Sequence, residues 1–155
     1  MLLCIMSLAA NAQSLQTWNW DSYKMKFKAP DNMVIIKSDG TVYEASNNKI
    51  TMDIYPRKNE NLTYDGMRTA LINWADRLSL YYTANSSGEC QPIYLKSLNG
   101  YWGCAIDGSK DGFSASALLL EDPDHPDISF YIWISYAKEY YHDVVNILKS
   151  FTPTN

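Results

Sequence analysis

The apolar side chains of this chain recur at two different spacings, and the points where the spacing changes limit what it can fold into. Tyr23, Met25 and Phe27 alternate with Lys24, Lys26 and Lys28, the two-residue repeat of a strand with one buried and one wet face. The lysines suit an exposed strand edge, where a charged row discourages further pairing. Met33–Lys37, Thr41–Ser46 and Ile50–Tyr55 follow as further short strands. Between them lie Ala29-Pro30-Asp31-Asn32, Ser38-Asp39-Gly40 and Asn47-Asn48-Lys49, runs rich in turn formers, and Pro56 stops the last strand. Together with a first strand over Ser22–Lys28 they predict a four-stranded antiparallel meander. The spacing then turns helical: Met67, Leu71, Trp74, Ala75, Leu78 and Tyr82 share a face, with Arg68, Asn73, Asp76 and Arg77 elsewhere. With Thr63 as N-cap and Asp65 in the first turn, a helix is expected over Tyr64–Tyr82.

After a loop over Ala84–Gly88 the two-residue repeat returns. Gln91–Leu98 and Tyr101–Asp107 flank Asn99-Gly100, the strongest hairpin signal in the chain. Gly108–Gly112 reads as a loop, and Phe113–Glu121 and Ile128–Tyr136 as longer strands. Ala137–Ser150 reads as a closing helix with Tyr141, Val144, Val145, Leu148 and Phe151 on one stripe. Along Ile128–Tyr136, Phe130, Ile132 and Ile134 face one way and Tyr131 and Trp133 the other, so both sides are apolar. That strand is expected in the middle of the sheet, covered on both faces. Strands, helix, strands, helix, with no repeat and no linker, give one α+β domain. Its largely antiparallel sheet of about six to seven strands packs against two main helices.

That order resembles the PsbP-like fold, shared by the photosystem II extrinsic P protein and a yeast Ran-binding factor, and by many small secreted bacterial proteins. The stretches that carry the resemblance are Y-K-M-K-F-K-A-P-D-N-M from Tyr23, S-L-N-G-Y-W-G-C-A-I-D from Ser97 and Y-H-D-V-V-N-I-L-K-S-F from Tyr141. They are structural echoes spread over most of residues 23 to 152. The resemblance implies a sandwich used mainly for binding, and it brings no catalytic residues with it.

The first charged residue is Asp21. Ahead of it Leu2, Leu3, Ile5, Met6 and Leu8 lead into Ala9-Ala10-Asn11-Ala12. An apolar run meeting an A-x-A-like site reads as a secretory signal peptide over residues 1–13, incomplete at its N-terminus because no basic residue opens it. Cleavage is expected before Gln13 or just after it, leaving a single domain over residues 14–155 in the periplasm or outside the cell. The run is too short to cross a bilayer. Cys4 lacks the small residues that precede a lipid-modified cysteine, so no lipid anchor is expected. Export leaves Cys90 and Cys104, an even number for an oxidising compartment and a candidate disulfide. If Asn99-Gly100 centres a regular two-residue turn, Cys104 lies opposite Leu95. A bond to Cys90 then needs a bulge, or a strand that turns early around Pro92. Two small buried hydrophobes are the alternative.

The formal net charge is −4, mixed in sign and without a basic run, which gives nucleic acid or an anionic membrane no patch to bind. Glu121 to Asp127, E-D-P-D-H-P-D, is the densest polar cluster. Two prolines interrupt it and it has no glycine for the sharp turn of a calcium loop, so a solvated hairpin loop is the expectation. Glu139 and His142 stand three apart on a helical face, a spacing that dimetal sites use twice and that occurs once here, so both are expected to border solvent. His125 and His142 are the only histidines, and no G-x-S-x-G, cysteine–histidine pairing or glycine-rich phosphate loop is present. No catalytic residue, cofactor or metal is assigned.

Aromatic residues make up 14% of the chain, against 19% charged, and are the material left for recognition. Trp18 and Trp20, ahead of the first expected strand, and Tyr101 and Trp102 after the hairpin turn are the candidate binding residues. The leading expectation is an exported, non-enzymatic domain that engages a protein or cell-envelope partner through exposed aromatics. Its mark would be an exposed apolar patch without clustered titratable groups. A small-ligand or glycan-binding domain would instead show a concave pocket lined by Trp and Asp or Asn. A metal-dependent hydrolase, the weakest reading, would need His125 or His142 in a cleft with two converging carboxylates. The sequence names neither the partner nor the oligomeric state.

Overall fold

The computed structural model describes residues 12–82 and 93–154, with the backbone alone over 93–97. Its strands are Leu15–Trp20 (β1), Met25–Pro30 (β2), Val34–Ser38 (β3), Tyr43–Ser46 (β4) and Ile50–Lys58 (β5), followed by Ile93–Leu98 (β6), Tyr101–Lys110 (β7), Phe113–Asp122 (β8), His125–Tyr136 (β9) and Thr152–Pro153 (β10). The α-helices are Tyr64–Arg77 (α1) and Tyr141–Leu148 (α2), and Asp21–Tyr23 and Lys138–Tyr140 are single 3₁₀ turns. An antiparallel seven-stranded sheet runs in the order β3-β4-β5-β9-β8-β7-β6, and β1-β2-β10 form a smaller one.

The expected α+β sandwich is the one found. β9 sits at the centre of the large sheet, and its alternation splits the core in two. Phe130, Ile132 and Ile134 join Met52, Ile54, Leu118 and Leu120 on one face, under Phe27 of β2 and Val144, Ile147 and Phe151 of the closing segment. Tyr131 joins Cys104, Leu119 and Ala117 on the other, under Met67, Leu71 and Trp74 of α1. Burial on both sides is why this strand shows no polar face.

Several boundaries differ from the sequence expectation. The meander has three strands, β3 to β5. The lysine-bearing strand starts at Met25, belongs to the small sheet and lies in its middle, so its lysines line an outer face and guard no edge. Trp18 and Trp20 lie on β1, a strand the expectation lacked. α1 is capped as expected, with Thr63 Oγ1 accepting from the Gly66 N–H at 3.0 Å, but it ends at Arg77. Ser79 adopts φ +58°, and the Leu80 and Ser79 N–H groups return to the Ala75 and Asp76 carbonyls, a left-handed helix stop made without glycine. The expected loop Gly108–Gly112 is a two-residue turn on Asp111 (φ +51°) and Gly112 (φ +83°), so β7 and β8 extend to meet it. The expected turn at Asn99 (φ +53°) and Gly100 (φ +108°) is there. A bulge between Leu95 and Leu98 shifts the register, so that Cys104 faces Tyr94 and not Leu95. The closing helix is shorter than expected. Tyr141 is exposed and Asp143 buried, because the 3₁₀ turn before α2 rotates the helix relative to the expected stripe.

Candidate functional site

A cleft of 760 Å³ opens at the end of the sandwich where the two sheets part. Tyr23 of the β1–β2 turn forms one wall. Its hydroxyl donates to the Gly40 carbonyl at 2.5 Å, and its ring stands edge-on to Trp20 at 4.7 Å and Phe130 at 5.5 Å. Burial, then the Asp39 charge, raises this phenol, so it stays a neutral donor. The Gly40 turn is itself held by Asp39, which accepts from the Thr41 hydroxyl and N–H and the Val42 N–H. Those bonds, Thr41 first, pull its carboxyl down to about 2. Phe130 and Ile128 of β9 and Tyr101 of β7 complete an apolar floor.

The rim carries both signs. Lys24, held at φ +46° by the turn, and Lys58 at the end of β5 contribute ammonium groups. Asp122, His125 and Asp127 of the β8–β9 hairpin contribute the rest. Asp122 accepts from the Asp124 N–H at 2.9 Å and lies 3.1 Å from His125 Nδ1. Burial and then the Asp122 charge raise the Tyr101 phenol, which remains neutral. The arrangement can hold an apolar side chain while pairing charged or hydrogen-bonding groups to either side of it.

The sequence candidates are scattered by the fold. Tyr101 is in the floor, edge-on to Phe130 at 6.3 Å and 1% exposed. Trp20 lies beneath the floor, also 1% exposed, not the partly exposed ring expected. Trp18 is half-buried on the small sheet, its indole N–H donating to the Ala29 carbonyl at 3.2 Å. Trp102 points to the opposite face of the large sheet from Tyr101, half-buried against Tyr64 at 5.9 Å. These four residues therefore form no single surface. Cys104 is buried under α1, and Cys90, with the proposed bond, lies outside the described residues. The acidic run divides, since Glu121 turns under the α1 side and Asp122 into the cleft. Among the described residues no three His, Cys, Asp or Glu side chains converge as a metal site would require. Glu139 and His142 are exposed, as expected. Lys24, Lys58 and Phe130 were missed as site residues, because only the meeting of the two sheets brings them together.

No protein-family model and no curated protein matches this sequence. Solved structures do. The Saccharomyces cerevisiae Ran-binding protein Mog1p aligns with a TM-score of 0.61 over 93% of this chain and 97% of that one, at 6% identity. A mutant of Mog1 gives 0.57 over 92% and 97%, also at 6% identity. A Bacteroides thetaiotaomicron structure gives 0.52 at 10% identity, over 92% of this chain and 49% of that one. The likeness is one of fold. It agrees with the PsbP-like architecture expected from the sequence.

Proposed function

We propose that this chain is a non-enzymatic binding domain that works outside the cytosol and receives a segment of a protein partner in the cleft. The observation that carries the reading is the aromatic floor of Tyr23, Tyr101 and Phe130 beneath a rim bearing Lys24, Lys58, Asp122 and Asp127. An apolar anchor ringed by groups of both signs suits a side chain and its flanking backbone better than a single charged metabolite. A fold that a Ran-binding protein also uses is compatible with it. Tyr23→Ala is expected to weaken partner binding more than about tenfold, because it removes the one aromatic ring of the floor that is half open to solvent. Affinity measured by surface plasmon resonance against the captured partner checks this. An unchanged affinity in a folded variant would argue for another surface.

The hydrolase reading keeps one contact, the His125–Asp122 pair. The imidazole side chain is 71% exposed, and among the described residues no hydroxyl or thiol bonds to it. His125→Ala is therefore expected to weaken partner binding less than Tyr23→Ala does in the same assay.

Export remains part of this proposal. The Gln13 backbone nitrogen donates to the buried Asp143 carboxylate at 3.1 Å. Cleavage before Gln13 would keep that bond, whereas cleavage after it would remove it. The intact mass of the protein made in its host from the full upstream gene is expected to begin at Gln13. A mass that retains Met1 would refute export.

A further inference from the structure

We propose that the chain carries a second site, independent of the cleft and on the opposite face of the large sheet, that binds the ring of a neutral carbohydrate. α1 packs over β7 and β8 and leaves β5 and the adjoining face of β9 partly open. The gap is a concavity of 480 Å³. Trp133 forms its floor and is half-exposed. Trp74, reaching down from α1, stands at 88° to it with ring centroids 6.2 Å apart. Tyr55 stands at 68° to Trp74 at 6.3 Å. Three rings thus make a corner, not a closed cage, and part of the Trp133 surface stays accessible.

The polar groups around the corner select the ligand. Asp53 is the cross-strand neighbour of Trp133 and lines the concavity. Burial, then Glu44 across β4, raises its carboxyl to about 6, with Tyr55 pulling the other way, so at neutral pH it is mainly an acceptor. Lys110 and Arg57 line the same space as donors, the Lys110 Nζ 5.8 Å from the centre of the Trp133 ring. A cationic ligand would compete with Lys110 for the ring and meet Arg57 beside it. An anionic ligand would face the Asp53 carboxylate. A neutral pyranose brings no like charge to either group. Its C–H face lies on the indole, and its hydroxyls both donate to the carboxylate and accept from the cations.

The test is a glycan array of neutral, anionic and cationic oligosaccharides probed with the full chain, then a tryptophan-fluorescence titration with the strongest neutral binder. Binding to a neutral glycan is expected, weakened more than about tenfold in Trp133→Ala and in Asp53→Asn. Trp133→Phe should restore most of the affinity, which separates a lost stacking surface from a misfolded variant. Tyr23→Ala, in the other cleft, should change nothing here. The proposal is overturned if no neutral glycan binds, if Trp133→Ala binds as well as the parent, or if choline-like or sulfated probes are preferred.

Discussion

Glu121→Gln is expected to make the protein more stable at pH 8, by about 1 to 3 kcal/mol, and to change little at pH 4. Arg57, Ser129, Glu121 and Trp102 stand side by side across β5, β9, β8 and β7. Glu121 is 1% exposed, and among the described residues its Oε2 has no hydrogen-bond partner, nor has Ser129 Oγ beside it. Glu60 lies close by, accepting from the Tyr131 hydroxyl at 2.7 Å and 3.9 Å from Arg57. Burial first, and then the Glu60 charge, raises the Glu121 carboxyl from 4.5 to about 7.

A group whose folded-state value is raised binds its proton more tightly in the folded protein. Below pH 4.5 it is protonated in both states and costs nothing. Above 7 it is ionised in both, and the folded state carries the full penalty of about 3 kcal/mol. Its stabilising protonated form is thus lost as pH rises through 7. Glutamine removes the charge but keeps a polar amide to satisfy, so only part of that penalty is recovered. Urea unfolding of both proteins from pH 4 to 8 reads the difference. Asp53, also raised, is present in both and cancels. Parallel curves would mean that Glu121 is solvated or paired in the folded protein.

The second large effect is expected at Gly108→Ala, a loss of about 2 to 3 kcal/mol. Tyr81 and Ser109 exchange both backbone hydrogen bonds, at 2.9 and 2.8 Å, and this bridge pins the chain leaving α1 to the edge of β7. A Cβ at position 108 would sit 3.0 Å from the Tyr81 carbonyl carbon and closer still to its oxygen. That neighbour is backbone and cannot swing aside, so the bridge must open. Alanine in a strand ordinarily improves on glycine, which makes the sign of the effect diagnostic. Gly40→Ala, with nothing within 4 Å among the described residues, is the control and should stay within about 0.5 kcal/mol. Denaturation midpoints, with amide exchange at Tyr81 and Ser109, measure both. A neutral Gly108→Ala would mean that the bridge does not constrain the chain.

The parts of the fold legible in the sequence were those with a strong local period. The double-faced strand around Ile132, the stripe from Met67 to Ala75, its Thr63 cap and the Asn99-Gly100 turn all follow from side-chain spacing or turn chemistry. What failed depended on partners distant in the chain. β1 has no alternation of its own, with burial confined largely to Trp20, and takes its strand geometry from pairing with β2. Tyr141 looked apolar enough for the core, yet Asp143 took the inward place, bonded to Gln13 from the other end of the chain. The site was legible only in pieces. Tyr101 and the Asp122–Asp127 run were singled out separately, and nothing in their spacing said that they share a cleft with Tyr23 and Lys58. Aromatic content showed that rings were available but not which ones the two layers would bury.

Site-specific photo-crosslinking in the native host bears most directly on the binding role of the cleft. A photoreactive residue replaces Lys58 at the rim in one version of the protein, and Thr69 on the exposed side of α1 in another. A discrete protein adduct from position 58, lost when Tyr23→Ala is added and not formed from position 69, is the expected result. Adducts only from position 69, or from neither position with the protein present at its normal level, would contradict a partner-binding cleft.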